Sequence, residues 1–195
     1  IKALSRSAGV TNFMTLLAAF KTVLYFYMSE SRDRSTATRI NEVVVGTNSA
    51  NRSHHHTERL IGFFVNQLVL RTDFSDDPAF TDLLSRVRTM ALQAYAHQDL
   101  PYEKLVQELE PPRETGLSPL FQIKFELQDG RMRNIDLPEL EVSPLGIEHT
   151  VVRHDLHMFM VEQQNSLGGN LLYNADLFER STIKQMSANF MAVLE

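Results

Sequence analysis

The sequence predicts an α/β fold in which a mixed β-sheet is flanked by helices. Residues 10–29 carry apolar side chains at the three-and-four spacing of a helix with one broad buried face. Residues 42–46 form a short β-branched run that ends in glycine, as expected of a strand buried on both faces. Residues 120–127 alternate apolar and polar side chains, which is typical of a strand with one wet face. Because helices and extended runs interleave without a strict βαβ alternation, we expect one mixed sheet covered by helices.

The other elements follow from the same patterns and from local stop signals. Asp77 and Pro78 provide an N-cap and a first-turn proline, so a long helix is expected to begin there. Leu100 precedes Pro101 and is pushed out of helical geometry, which separates this helix from a shorter one. The glycine pair at 168–169 predicts a turn. We expect further strands over residues 64–71, 140–147, 151–162 and 171–174, and further helices over residues 101–109 and 181–194.

Size and charge limit the possible classes of function. The chain has 195 residues, of which 43% are hydrophobic. A chain of this size buries about 70% of its unfolded surface, which is enough for one core in one domain. The formal net charge is -5, from 19 basic and 24 acidic residues, and no Lys/Arg run occurs. This argues against nucleic acid as a partner, because phosphate neutralisation requires clustered positive charge.

The absence of cysteine and the hydropathy of the chain indicate where in the cell the protein is located. The chain has no cysteine, which excludes disulfides, zinc–thiolate sites and cysteine nucleophiles and fits a reducing cytoplasm. The longest apolar run, residues 13–28, is interrupted by Thr15, Lys21 and Thr22, so it is too short and too polar to span a membrane. The sequence begins at Ile1, and we expect no signal peptide. We expect a soluble, cytoplasmic piece of a longer protein.

An apolar segment with one carboxamide lies in the first half of the chain. Residues 61–71 read IGFFVNQLVLR. Gly62 lets the backbone turn or approach a neighbour closely, and the aromatic pair at 63–64 is expected in the core. Burying the Asn66 amide is costly unless its donors and acceptors are paired, so it bonds to backbone, to another segment or to a ligand. Arg71 is expected in an ion pair or at the surface.

A second polar segment follows about one helix later. Residues 97–103 read HQDLPYE. His97 is placed at the end of the long helix, where a cationic imidazole complements the negative end of the dipole. Asp99 and Glu103 are placed at the start of the next helix and complement its positive end. Helix capping therefore explains the spacing of these three charged residues. The alternative role for them is a contact with another lobe or with a docking partner.

In this order and at this spacing, the two segments resemble two signature motifs of the condensation domains of nonribosomal peptide synthetases. Residues 113–120 read RETGLSPL and resemble the family's Arg-Asp-x-Ser-Arg-Asn-Pro-Leu, with matches at Arg113, Pro119 and Leu120. Gln67 departs from the Thr that the family usually has there. The resemblance implies structural roles for ten motif residues: Gly62, Phe64, Arg71, His97, Gln98, Asp99, Pro101, Glu103, Arg113 and Pro119.

The resemblance also implies an architecture. It predicts a chloramphenicol acetyltransferase-like lobe that packs against an upstream lobe of similar fold to make a V-shaped pseudo-dimer. Condensation domains form amides with a His-His-x-x-x-Asp-Gly motif that lies upstream of these segments, and that motif does not occur in the sequence. We therefore expect residues 1–195 to be the C-terminal half of a condensation domain, one subdomain with no catalytic residue of its own and no activity alone.

The family's reaction then sets the expected partners. Peptide bonds would form between aminoacyl or peptidyl groups held as thioesters on phosphopantetheine arms, and no cofactor would bind to this chain directly. The expected partners are the N-terminal lobe, the donor and acceptor carrier-protein domains and the neighbouring adenylation domain. This lobe would shape the acceptor side and the floor of the substrate tunnel, where the family places its asparagine at Asn66.

Three consecutive histidines, His54, His55 and His56, are not expected to bind a metal. Only the first and third share a face of an extended segment, and zinc usually takes three or four protein ligands. They do not match the catalytic motif either, because no Asp-Gly follows at the required distance.

Asp155 and His157 are the most enzyme-like pair in the chain. A strand would place both on one face, where the carboxylate could orient the imidazole for base catalysis. The family has a similar aspartate-leucine strand here as part of its sheet. Together with Asn66 and Gln67, these two residues are our candidates for the wall of the substrate tunnel.

Two other functions remain open. The chain could belong to a noncatalytic module that keeps the condensation fold and recruits a tailoring enzyme, which an intact upstream catalytic motif would contradict. It could instead be a self-contained acyltransferase that uses His157 with Asp155 as a base, with sites between the protomers of a homo-oligomer. The latter predicts activity without an upstream lobe and its loss in His157→Ala.

Overall fold

The computed structural model describes residues 1–30, 41–112, 117–130, 140, 151–163 and 166–195. The helices are α1 (Lys2–Ser7), α2 (Asn12–Glu30), α3 (Phe80–Ala96), α4 (Tyr102–Leu109) and α5 (Arg180–Leu194), with a 3-10 turn at His55–Thr57. The strands are β1 (Glu42–Ser49), β2 (Asn66–Asp73), β3 (Ile123–Asp129), β4 (Leu156–Glu162) and β5 (Leu167–Tyr173).

The strands form one five-stranded mixed sheet in the order β2-β1-β3-β4-β5. The central pairs, β1 with β3 and β3 with β4, are parallel, and both outer pairs are antiparallel. The predicted mixed sheet with flanking helices is therefore confirmed.

Helices α2, α3 and α5 enclose the core against one face of the sheet. The α2 residues Leu16, Leu17 and Phe20 are fully buried, as the helical spacing predicts. The Phe20 ring lies 5.8 Å from Phe125 of β3 and 6.2 Å from Phe190 of α5, measured between ring centroids. Aromatic contacts of this kind stabilise the packing of the helices against the middle of the sheet.

One lysine is buried in this core. The Lys21 ammonium on α2 donates to the Leu70 carbonyl at 2.8 Å, to Thr72 Oγ1 at 2.7 Å and to the Val43 carbonyl at 3.3 Å. These bonds tie α2 to both β1 and β2. Burial lowers the pKa of Lys21 from 10.5 to about 7, because a charged amine is costly away from water.

The sequence predicts that the first strand ends at Gly46, but the structure shows that it does not. Strand β1 continues to Ser49, and Gly46 lies within it. The ring of Phe121 rests directly on this glycine, where any Cβ atom would overlap it. The glycine is needed for this close approach and not for a turn.

The glycine pair at 168–169 is likewise part of strand β5 and not a turn. A Cβ at Gly169 would come within 2.7 Å of the Phe159 carbonyl oxygen. The expected turn was wrong because close backbone approach can require glycine inside a strand as much as a turn can.

Several elements also differ from the sequence prediction. The N-cap of α3 is Ala79 and not Asp77, which adopts a left-handed backbone with φ 49°. Strand β4 begins at Leu156 instead of residue 151. Helix α1 was not predicted, and the strand predicted over residues 140–147 lies outside the described residues except for Leu140.

Candidate functional site

The second face of the sheet is not covered by α2, α3 or α5, and we call it the open face. Four of its side chains form a polar row across neighbouring strands. The row consists of Gln67 on β2, Asn48 on β1, Glu126 on β3 and His157 on β4. Gln67 and Asn48 are direct partners in the β1–β2 register. The row brings two predicted tunnel candidates, Gln67 and His157, onto one face.

Glu126 is the centre of the polar row. Its Oε1 accepts a hydrogen bond from the Asn48 amide and lies 3.3 Å from Lys124 Nζ, and its Oε2 lies 2.9 Å from His157 Nε2. Burial alone would raise the pKa of Glu126, but the hydrogen bond from His157 and the charge of Lys124 hold it below its ordinary value. Glu126 is therefore a carboxylate at neutral pH, with both oxygens engaged.

The carboxylate beside His157 differs from the one that the sequence suggested. Asp155 lies one residue before β4, and its backbone carbonyl accepts the Asn174 N–H at 3.0 Å. The observed carboxylate contact to His157 comes from Glu126 on the adjacent strand.

A cavity of about 500 Å³ opens on this face beside the polar row. Its polar lining residues are Lys124, Glu126, Arg153, His154, His157 and Asn170, and its apolar ones are Val151, Val152, Phe159 and Leu172. Lys124 is only 8% exposed despite its position on a face that the described helices leave open. Cavities of this size bind small molecules in other proteins.

His154 forms one wall of the cavity. Its ring lies 5.3 Å from that of Phe121, between centroids, and 6.3 Å from that of His157. Its Nδ1 atom is buried and has no hydrogen-bond partner among the described residues. Burial, and then the neighbouring charge of Lys124, lowers the pKa of His154 to about 4, so the ring is neutral at pH 7.

Asn66 joins the two sequence motifs. Its amide nitrogen donates to the carbonyls of Gln98 at 2.8 Å and Leu100 at 2.7 Å, and its oxygen accepts the Tyr102 N–H at 3.1 Å. The Gln98 side chain also accepts a hydrogen bond from Ser49 at the end of β1. The turn between α3 and α4 is thus fixed to the β1–β2 end of the sheet, and both amide hydrogens of Asn66 are used by backbone.

The segment before β2 is more exposed than its composition suggests. Phe63 was expected in the core but is 94% exposed. Four residues, Leu60, Ile61, Phe63 and Val65, expose large apolar side chains, and we call them the apolar loop. Gly62 lies among them, and Phe64 is half-buried under the Arg52 guanidinium, 4.3 Å from its ring centroid. The expected burial of Phe63 was wrong because the hydrophobicity of a side chain does not determine whether another part of the protein covers it.

The remaining motif residues either have local structural roles or lie outside the described residues. His97 is the C-cap of α3, Pro101 is the N-cap of α4, and Glu103 lies in the first turn of α4. Arg71 Nη1 pairs with Glu42 Oε2 at 3.3 Å on the surface. Asp99 and Pro119 are exposed, and Arg113 lies outside the described residues.

The histidine run is a surface feature. The rings of His55 and His56 lie 3.6 Å apart, between centroids, in the exposed 3-10 turn. Within the described ranges, no group of three or more His, Cys, Asp and Glu side chains is arranged to hold a metal ion. No helix in those ranges is long and apolar enough to cross a membrane.

Sequence reasoning missed Lys124 and Glu126 as site residues. The alternation over residues 120–127 did place both on the wet face of a strand. A wet strand face ordinarily contacts solvent, so this pattern contained no sign that β4 would bring His157 against Glu126.

The chain is similar to known proteins both in sequence and in fold. The family model described as Condensation domain matches residues 1–195. Malpinin synthetase of Mortierella alpina is 41% identical over 185 residues, which cover 95% of this chain and 2% of that protein. Among solved structures, the complex of the X-domain and OxyB from teicoplanin biosynthesis aligns with a TM-score of 0.80 at 27% identity, covering 98% of this chain and 41% of that one.

A second solved structure has a similar fold. A four-domain nonribosomal peptide synthetase bound to AMP and glycine aligns with a TM-score of 0.83 at 24% identity, covering 98% of this chain and 15% of that one. The chain thus spans a small part of the synthetase sequence it matches and less than half of each of these two solved chains.

Proposed function

This chain belongs to the condensation-domain family, and from that premise we propose that it is the C-terminal lobe of a peptide-bond-forming domain in a nonribosomal peptide synthetase. Its mixed sheet with flanking helices is the chloramphenicol acetyltransferase-like fold of condensation domains. The proposed reaction is amide formation between two thioesters, held on the phosphopantetheine arms of a donor and an acceptor carrier-protein domain.

The open face is the observation that carries this proposal. Buried Lys124, the Glu126 carboxylate with both oxygens engaged, and a His154 Nδ1 with no hydrogen-bond partner among the described residues lie on a sheet face that α2, α3 and α5 leave uncovered. Buried charges and unpaired polar atoms of this kind are costly unless a partner surface or a ligand completes their contacts. We assign that partner surface to an upstream lobe and that ligand to the acyl substrates.

Within this proposal the lobe shapes the acceptor side and the floor of the substrate tunnel. Gln67, Asp155 and His157 are its candidates to contact the substrates. Asn66 supports the tunnel by holding the α3–α4 turn against β2. The proton-handling histidine motif does not occur in this sequence, so the chain alone lacks the proximity and proton transfer that amide formation needs.

The proposed partners follow from the reaction. An adenylation domain would load the acceptor carrier protein, and both carrier domains would deliver their thioesters to the cleft between the two lobes. The phosphopantetheine arms belong to the carrier domains, and this chain contributes residues that line the tunnel through which the arms reach the cleft.

The experiment that tests the proposal compares two proteins, the two-lobed domain and residues 1–195 alone. Each is incubated with donor and acceptor carrier proteins loaded with different amino acids, and dipeptidyl carrier protein is detected by mass spectrometry. We expect product only with the two-lobed domain. Product from the chain alone would contradict the proposal and favour the self-contained acyltransferase, and loss of that product in His157→Ala would identify its base.

The noncatalytic recruitment module is the second candidate, because a similar solved structure is an X-domain in complex with OxyB. If the two-lobed domain has an altered upstream histidine motif and makes no dipeptide, this function is favoured. An intact motif together with dipeptide formation rejects it.

A further inference from the structure

The cavity on the open face is lined by a buried lysine, Lys124, and by a single carboxylate among its described lining residues, Glu126. Both oxygens of Glu126 are engaged by protein groups, since Asn48, Lys124 and His157 all contact them. An ammonium has three hydrogens, and Glu126 is the side-chain acceptor that Lys124 contacts within the described part of the chain. The buried Nδ1 of His154 is unpaired within the described ranges. A ligand that accepts a hydrogen bond from Lys124, and pairs with His154 Nδ1 in the tautomer that suits it, would therefore complete this site.

The charge distribution favours the same ligand. Lys124 and Arg153 line the cavity, and the one carboxylate among its lining residues, Glu126, is neutralised by its own contacts. Burial is the main cause of the lowered pKa of His154, and the charges of Lys124 and Arg153 add to it while that of Glu126 opposes it. An anionic or strongly polar acceptor group is stabilised there, and a cationic group is repelled.

The remaining lining determines the size and shape of the ligand. Val151, Val152, Phe159 and Leu172 supply apolar walls around the polar groups. The volume of about 500 Å³ fits one aminoacyl group.

We propose that this cavity binds the side chain of a carrier-bound aminoacyl group and selects a carboxylate or carboxamide head through Lys124 and His154. The inference rests on the proposed function and adds the substrate class. A purely apolar side chain would leave the Lys124 ammonium and the His154 nitrogen desolvated without a partner. A cationic side chain would place like charge against Lys124.

The test uses the two-lobed domain and four aminoacyl groups: aspartyl, asparaginyl, leucyl and lysyl. Each is loaded in turn on the acceptor carrier protein with a glycyl donor, and then on the donor with a glycyl acceptor. In one of the two arms we expect kcat/KM for aspartyl and asparaginyl groups to exceed that for leucyl by about tenfold, the effect of one hydrogen bond to a charged group. The arm that shows the preference identifies whether the donor or the acceptor occupies the cavity.

Two variants and one control assign the effect to the cavity. Lys124→Met keeps a long side chain and removes the ammonium, so the preference for aspartyl over leucyl should fall to about onefold while leucyl is still used. His154→Phe keeps the ring against Phe121 and removes Nδ1, and it should reduce the preference without altering the fold. Lys184→Met, at an exposed position on α5, should leave the preference intact. Thermal unfolding confirms that each variant is folded.

The outcomes separate this inference from the proposed function. If none of the aminoacyl groups yields dipeptide, the proposed function fails and the inference fails with it. If dipeptide forms at equal rates from aspartyl and leucyl groups in both arms, the inference alone is overturned. It is also overturned if folded Lys124→Met and His154→Phe both keep the preference of the unmodified domain.

Discussion

Lys21 couples the stability of this fold to pH. Its folded pKa is about 7, against 10.5 for an ordinary lysine. Between these values the unfolded chain binds a proton at Lys21 that the folded chain does not, so stability rises with pH. We expect the free energy of unfolding to increase by about 1.4 kcal/mol per pH unit in this window through Lys21. Urea unfolding at several pH values between about 7.5 and 9.5 measures the slope.

Substitution isolates the contribution of this one amine. Lys21→Met keeps the length of the side chain and removes the titrating group, so the slope attributed to Lys21 should disappear. Lys184→Met removes an exposed lysine and should leave the slope unchanged. Burial raises the pKa of Tyr95, so its phenol stays neutral over this range and does not interfere. An equal slope in Lys21→Met and the unmodified chain would contradict the argument.

Asn66 should contribute to stability as a brace between two segments. Asn66→Ala removes two bonds to carbonyls of the α3–α4 turn and one from the Tyr102 N–H. We expect the free energy of unfolding to fall by about 1–3 kcal/mol, because the partner groups lose their bonds in a partly buried site. Asn170→Ala, at an exposed asparagine on β5, is the matched control and should change stability little. Equal unfolding midpoints for the two variants would rule out the bracing role.

The contact between β1 and the segment before β3 can be tested in the same way. A Cβ at Gly46 would overlap the Phe121 ring, which also contacts Tyr102 at 5.7 Å and His154 at 5.3 Å between centroids. Gly46→Ala should therefore destabilise the fold by about 1–3 kcal/mol through overpacking. The cost should shrink in a Phe121→Ala background, where the clash is absent. Additive effects in this double-mutant cycle would show that the two residues do not interact.

The elements themselves were largely predictable from periodicity, because burial of one face imposes a spacing that the sequence records. Helix α2 and strand β3 follow their apolar patterns closely. The boundaries of the elements were less predictable where contacts with a residue far away in the sequence determine them. Gly46 lies within β1 with the Phe121 ring against it, and Gly169 lies within β5 close to the backbone of β4.

The candidate site was only partly predictable for the same reason. The sequence indicated that Asn66 must be paired and that the Asp155 carboxylate could orient His157. It did not identify Glu126, since the partner of His157 is set by the parallel register of β3 and β4, in which Lys124 faces His157. Register between strands that are far apart in sequence is a property of the folded sheet.

At the scale of the whole molecule, two surfaces differ from those of an ordinary monomer. The open face carries partly buried charged groups, and the apolar loop exposes four large side chains near the start of β2. Exposed apolar clusters of this kind typically mark protein–protein contacts. Both surfaces are consistent with the proposed upstream lobe, which would cover them in the two-lobed domain.

Residues 1–195 alone should therefore self-associate through the apolar loop. We expect the mass measured by light scattering to rise with concentration, because burying Ile61 and Phe63 between copies removes apolar surface from water. Phe63→Ser should shift the chain toward the monomer. Phe26→Ser, at a 57% exposed aromatic on α2 outside the loop, is the control and should leave association unchanged. A monomer at every concentration, or equal association of the two variants, would show that the apolar loop is not a contact surface.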